Sequence, residues 1–210
     1  MQEKDQKSRT LILFPVWGII LFLICYTIAA IRYPGGSQND PEQQGFSIVH
    51  NYWCNLLDEV AINGKPNKGR VVAVVGMVFL CTSLAIFWWV FPHYSNLKNT
   101  VRILIRFSGI IAMSICVFLF STIPHDYVIN LSSFFGLIAA CGTLAGLKKR
   151  CWNSLFFFGI FNLALVVLNN YVYYTPRLIG SLPVIQKISF LCFLAWFVCI
   201  SLKIRKTGNS

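Results

Sequence analysis

Apolar residues gather in six blocks along this chain, at about 11–31, 71–91, 103–122, 127–147, 153–173 and 185–203, with polar residues in the segments between them. Each block approaches the roughly twenty residues with which an α-helix crosses a ~30 Å hydrocarbon core. The pattern predicts an all-α, polytopic membrane protein, a six-transmembrane-helix bundle forming one membrane domain over 1–210. The first block exceeds the ~7–15 residue core of a secretory signal, and no small-residue cleavage motif precedes Arg32. It reads as an uncleaved first span.

One connection is long. Residues 32–70 open with Tyr33-Pro34-Gly35-Gly36, a turn signal, and stay polar to Gly45. From Phe46 the period changes: Phe46, Val49, Trp53, Leu56 and Val60 recur at helical spacing, with His50, Asn51, Asn55, Asp58 and Glu59 on other faces. Asn63-Gly64 supplies a stop. The prediction is an amphipathic helix on the outer face, between spans one and two, with Tyr52 and Trp53 at the headgroup boundary.

Composition agrees with immersion in lipid. Of 210 residues 56% are hydrophobic and 12% charged, with a mean hydropathy of +0.64, whereas a soluble domain carries about 25% charged residues. The net charge of +11 would indicate nucleic acid in a soluble protein. Here the basic residues sit at span ends, so no nucleic-acid partner is expected and membrane lipids are. Lys4, Lys7, Arg9, Lys98, Arg102, Lys148, Lys149, Arg150, Lys203, Arg205 and Lys206 fall on one side, with only Glu3 and Asp5 against them. Arg32, Lys65, Lys68, Arg70, Arg177 and Lys187 fall on the other, among Asp40, Glu42, Asp58, Glu59 and Asp126. Positive-inside logic puts both termini in the cytoplasm of a cell inner (plasma) membrane protein. Arg106, one turn inside the third span, can snorkel to headgroups.

Eight cysteines do not read as a disulfide framework: six lie inside spans and no CxxC pair occurs. In the fourth span Ser132, Gly136, Ala140 and Thr143 share a stripe and Gly142 and Gly146 form a GxxxG pair, which marks that helix as the bundle centre. Phe156, Phe157 and Phe158 are expected to face lipid.

Ionisable groups are costly at membrane depth, so those near it are functional candidates. Pro124, His125 and Asp126 open the fourth span at its outer end, with Asn130 and Ser133 on the same face. His50, Asp58 and Glu59 share that side, and Asn169, Asn170 and Tyr173 end the fifth span there. Such a gathering would suit ligand binding, a metal, or an acid/base pair using His125, Asp126 and Asp58. The structural alternative is equally concrete. Pro124 and Asp126 are ordinary first-turn residues, Thr122 a possible cap, Asp58 and Glu59 a solvated helix face, and His50 and His93 boundary residues. Asn162, mid-span, is expected to bond a neighbouring helix. No HExxH, GxSxG, P-loop or glycine-rich nucleotide motif occurs, and nothing identifies a cofactor or assigns a metal.

In Tyr33-Pro34-Gly35-Gly36, Asn51-Tyr52-Trp53-Cys54-Asn55-Leu56-Leu57 and Asn63-Gly64-Lys65-Pro66-Asn67 the chain resembles the six-span prokaryotic membrane proteins called domain of unknown function 998. More distantly it is similar to the damage-regulated autophagy modulator group. Cys54 and Asn55 stand where that pattern has serine and aspartate. The resemblance implies a six-helix bundle with a characteristic outer loop and supplies no activity. The expectation is a membrane module that binds a lipid or a membrane protein partner at an outer polar pocket. A membrane-embedded enzyme acting on a lipid headgroup or linkage, and a small-solute transporter, are the alternatives.

Overall fold

The structure, a computed structural model, describes residues 10–120 and 125–207. Among them six helices are long and apolar enough to cross a membrane. They are α1 (Phe14–Ile31), α2 (Arg70–Tyr94), α3 (Asn99–Cys116), α4 (His125–Lys149), α5 (Asn153–Tyr173) and α6 (Leu182–Thr207). The chain is therefore an integral, multi-pass membrane protein with an all-α fold. Thr122 and Pro124 lie outside the described residues.

Helix ends follow local chemistry. After α2, Asn96 turns the chain at φ 53°, a left-handed conformation asparagine tolerates. After α4, Cys151 takes φ 56°, Trp152 N–H reaches Leu147 O and Cys151 N–H reaches Lys148 O, both at 3.0 Å. That is a Schellman stop with a cysteine where glycine is usual.

Two compact units make up the chain. The first comprises Met1–Ile20, Val78–Ile160 and Leu194–Ser210; the second comprises Leu21–Met77 and Phe161–Phe193.

In the first unit the small-residue stripe of α4 does what its spacing predicts. Ser132, Ala139, Ala140 and Thr143 are buried, and α4 packs against α3. A Cβ on Gly142 would stand 2.3 Å from Ile105, and one on Gly146 2.8 Å from Ser95. Both glycines let helices approach within the chain, where lipid offers no hydrophobic drive for association. Trp88, Phe87, Phe91, Trp196 and Phe197 form the aromatic core, and the Trp196 indole donates to Leu155 O at 2.8 Å. Phe157 is exposed, as expected of a lipid-facing side chain.

The second unit corrects the expectation of an amphipathic outer helix. Residues 48–50 form a turn, Trp53–Leu57 a short 3₁₀ helix, and Val60 pairs with Pro66 as an isolated bridge. The proposed apolar stripe splits: Leu56 is buried while Val49 and Val60 are exposed. The cause is local competition for the backbone. The Asn51 carboxamide oxygen accepts from Ser47 N–H at 2.8 Å, and that of Asn55 accepts from Tyr52 N–H at 2.8 Å. Asparagine side chains thereby offer main-chain donors an alternative to helix. The Trp53 ring packs against Phe22 and Tyr26 of α1 and Phe190 of α6, with centroids 5.9, 5.7 and 5.5 Å away.

Asn162 lies on α5 and is 2% exposed, yet neither amide atom has a hydrogen-bond partner among the described residues. The expected interhelical bond is not made. An unsatisfied buried amide costs roughly 1–3 kcal/mol. Asn162→Leu, of similar size, is expected to raise the melting temperature in detergent by several degrees; a fall would show that the amide holds a partner.

Candidate functional site: the asparagine-built outer segment

The connection between α1 and α2 is assembled by side chains reaching main chain. Gly36, at φ 83°, carries an N–H that reaches Gln43 O at 2.7 Å. A Cβ there would stand 2.4 Å from Asn63 N, so only glycine fits. Asn51, wholly buried, donates from its carboxamide to Gly36 O at 2.8 Å. Asn67, also buried, donates to Leu56 O at 3.1 Å and Asp58 O at 3.0 Å, and accepts from Gly69 N–H at 3.0 Å. Ile62 N–H donates to the Tyr33 hydroxyl at 3.1 Å, and Arg70 Nε donates to Leu57 O at 3.0 Å.

Lys187 holds the segment to α6. Its ammonium donates to Asn51 O, 136 residues earlier in the chain, and to Pro183 O at 2.9 Å, with the Phe46 ring centroid 5.8 Å away. At 7% exposure this is a buried cation held by carbonyl oxygens and an aromatic face. Sequence reading treated Lys187 as one of the outer topology charges. The missed signal is a single ammonium on an otherwise apolar helix, which needs a local partner at that depth.

The candidate residues divide between the units. His50, Asp58, Glu59, Asn169 and Asn170 belong to the second; His125, Asp126 and Asn130 belong to the first. His50 is half-buried, with Nδ1 3.4 Å from the Ser47 hydroxyl and its N–H donating to the same oxygen at 3.2 Å. Asp58 is exposed, 3.5 Å from the Asn55 carboxamide nitrogen. Glu59 is exposed and pairs with Arg70 at 3.1 Å. Asn169 ties α5 to α6 through the Ser189 hydroxyl, and Asn170 caps back to Val166 O at 3.0 Å. Asp126 and Asn130 are exposed on the first turns of α4. His125 begins that helix, and its side chain lies outside the described residues. Among the described residues no three His, Cys, Asp or Glu side chains converge as a metal site would require.

Burial tunes three groups of this segment. It raises the Tyr33 hydroxyl pKa, with Asp58 adding and the Ile62 N–H opposing, and it raises that of Tyr52, with Cys54 and Tyr173 adding. Cys54, partly exposed as a residue, has its thiol crowded by protein and is pushed up to about 11, first by burial and then by the Asp58 carboxylate. The thiolate is the nucleophile, so Cys54 should be inert near neutrality. Alkylation of a variant retaining only Cys54 and Cys151 is expected to reach Cys151 first at pH 8. The Cys54 rate should climb about tenfold per pH unit as pH rises toward 11. Equal rates at pH 8 would contradict the burial.

Comparisons of the chain with protein-family models, with curated proteins and with solved structures found no match.

Proposed function

We propose that this chain is a non-catalytic recognition protein of the inner (plasma) membrane. Both termini lie in the cytoplasm, and residues 33–69 form a rigid display for a lipid headgroup or a membrane protein partner on the outer side. The observation that carries this reading is the buried asparagine framework. A connection of that length without regular structure is usually either disordered or functional, and here Asn51, Asn67 and Lys187 fix it in one conformation. Its polar interior serves the backbone, while Asp58 and Glu59 remain at the surface beside exposed Val60.

Titration of the detergent-solubilised protein with phosphatidylethanolamine, followed by native mass spectrometry, tests the proposal. Saturable binding is expected, falling at least fivefold in Asp58→Asn. Non-saturating uptake that the substitution leaves unchanged would contradict it.

A further inference from the structure

The opposite, basic end of the first unit carries a second device. Two cross-helix rungs link α2 to α3 there. Arg106 Nε donates to Trp89 O at 3.2 Å, and its guanidinium lies 4.5 Å from the centre of the Trp89 ring. One turn away, Arg102 Nη2 lies 3.4 Å from His93 Nδ1. Arginine cannot accept, so His93 receives that hydrogen bond. Residues 89 and 93 are four apart on α2, as 102 and 106 are on α3, so both rungs stand on one face about 5–6 Å apart.

Among the described residues neither arginine is paired with a carboxylate. The described part of the unit contains one carboxylate, Asp126, at the start of α4. The rungs lie instead toward the end where α4 finishes in Lys148 and Lys149. The Arg102 Nε is enclosed and has no acceptor among the described residues. Positions on either side supply an apolar shelf: Ile103 and Phe107, each one residue beyond an arginine, and Trp89 are exposed. Two guanidiniums preset by an indole and an imidazole, above exposed hydrocarbon, match a phosphate whose acyl chains run down the helix surface. Guanidinium forks grip phosphate oxygens in bidentate fashion, which an ammonium cannot reproduce.

We propose that Arg102 and Arg106 form a specific site for the phosphate of an anionic phospholipid in the leaflet at the basic end of the bundle. His93 and Trp89 act as positioning residues. This site does not depend on the proposed recognition role of residues 33–69. The remaining lysines and arginines of this end attract the same leaflet diffusely. The rung pair adds geometry to charge.

Native mass spectrometry of the full chain in detergent, titrated with phosphatidylglycerol, phosphatidylcholine or inorganic phosphate, tests the site. Phosphatidylglycerol is expected to bind saturably and at least tenfold more tightly than phosphatidylcholine, and inorganic phosphate not to compete. Arg102→Gln/Arg106→Gln should abolish that preference, whereas Lys148→Gln/Lys149→Gln/Arg150→Gln should retain it. Arg102→Lys/Arg106→Lys keeps the charge and the fold and should still lose at least fivefold. Trp89→Leu should weaken binding without removing a cation. Equal binding by the lysine pair, or equal loss in the 148–150 variant, would overturn the site in favour of diffuse attraction. Competition by inorganic phosphate would overturn the assignment to lipid.

Discussion

Asn51→Ala is expected to release the outer segment while leaving the six helices in place. The substitution strands the Ser47 N–H and the Gly36 carbonyl, both now satisfied at 2.8 Å by one buried carboxamide. Each stranded group costs about 1–3 kcal/mol when buried, so the loss is up to about 6 kcal/mol from a segment with little regular structure of its own. Tryptic cleavage after Lys68, an exposed residue of this segment, should accelerate at least tenfold, with helix content by circular dichroism unchanged. Lys187→Met should act in the same direction, because it removes the ammonium that holds the Asn51 carbonyl. Unaltered cleavage in both variants would show that the segment is held by its apolar contacts alone.

Gly109→Ala is expected to destabilise the first unit by overpacking its aromatic core. Its Cβ would stand 2.3 Å from Cγ and 2.5 Å from Cβ of Trp88, the root of the indole and not its far edge. Trp88 has nowhere to turn, being 1% exposed and packed edge-on against Phe87 and Phe197. Overpacking of this kind costs about 1–3 kcal/mol, and for a chain of this size that is a fall of roughly 3–10 °C in melting temperature. Gly136→Ala is the matched control, since its Cβ would meet nothing closer than the Ala112 methyl at 3.9 Å. A melting temperature no lower for Gly109→Ala than for Gly136→Ala would contradict the packing.

The contrast between the two units explains what the sequence made legible. The number of helices followed from bilayer thickness, a constraint that acts on every residue of a span. The small-residue face of α4 followed from spacing alone, because Gly142 and Gly146 must lie within a turn of one another on any helix. The outer segment was different. Phe46, Val49, Trp53, Leu56 and Val60 carry a genuine helical period, yet Asn51 and Asn55 bond to main chain and turn the backbone away from helix. Such bonds leave no periodic trace. The tether from Lys187 to Asn51 connects residues too far apart for any local pattern to register. His93, read as a boundary residue, likewise acquires its role only once α3 brings Arg102 beside it.

The proposed orientation, drawn from the distribution of basic residues, puts residues 33–69 and the first turn of α4 on the outer side of the bilayer. Membrane-impermeant maleimide labelling of single cysteines in intact cells measures this directly, using Lys65→Cys, Asp126→Cys and Lys149→Cys in a background without native cysteines. The proposal predicts labelling at 65 and 126 in intact cells, and at 149 only after the membrane is permeabilised. Labelling at 65 without 126, or at 149 together with 65, would contradict it.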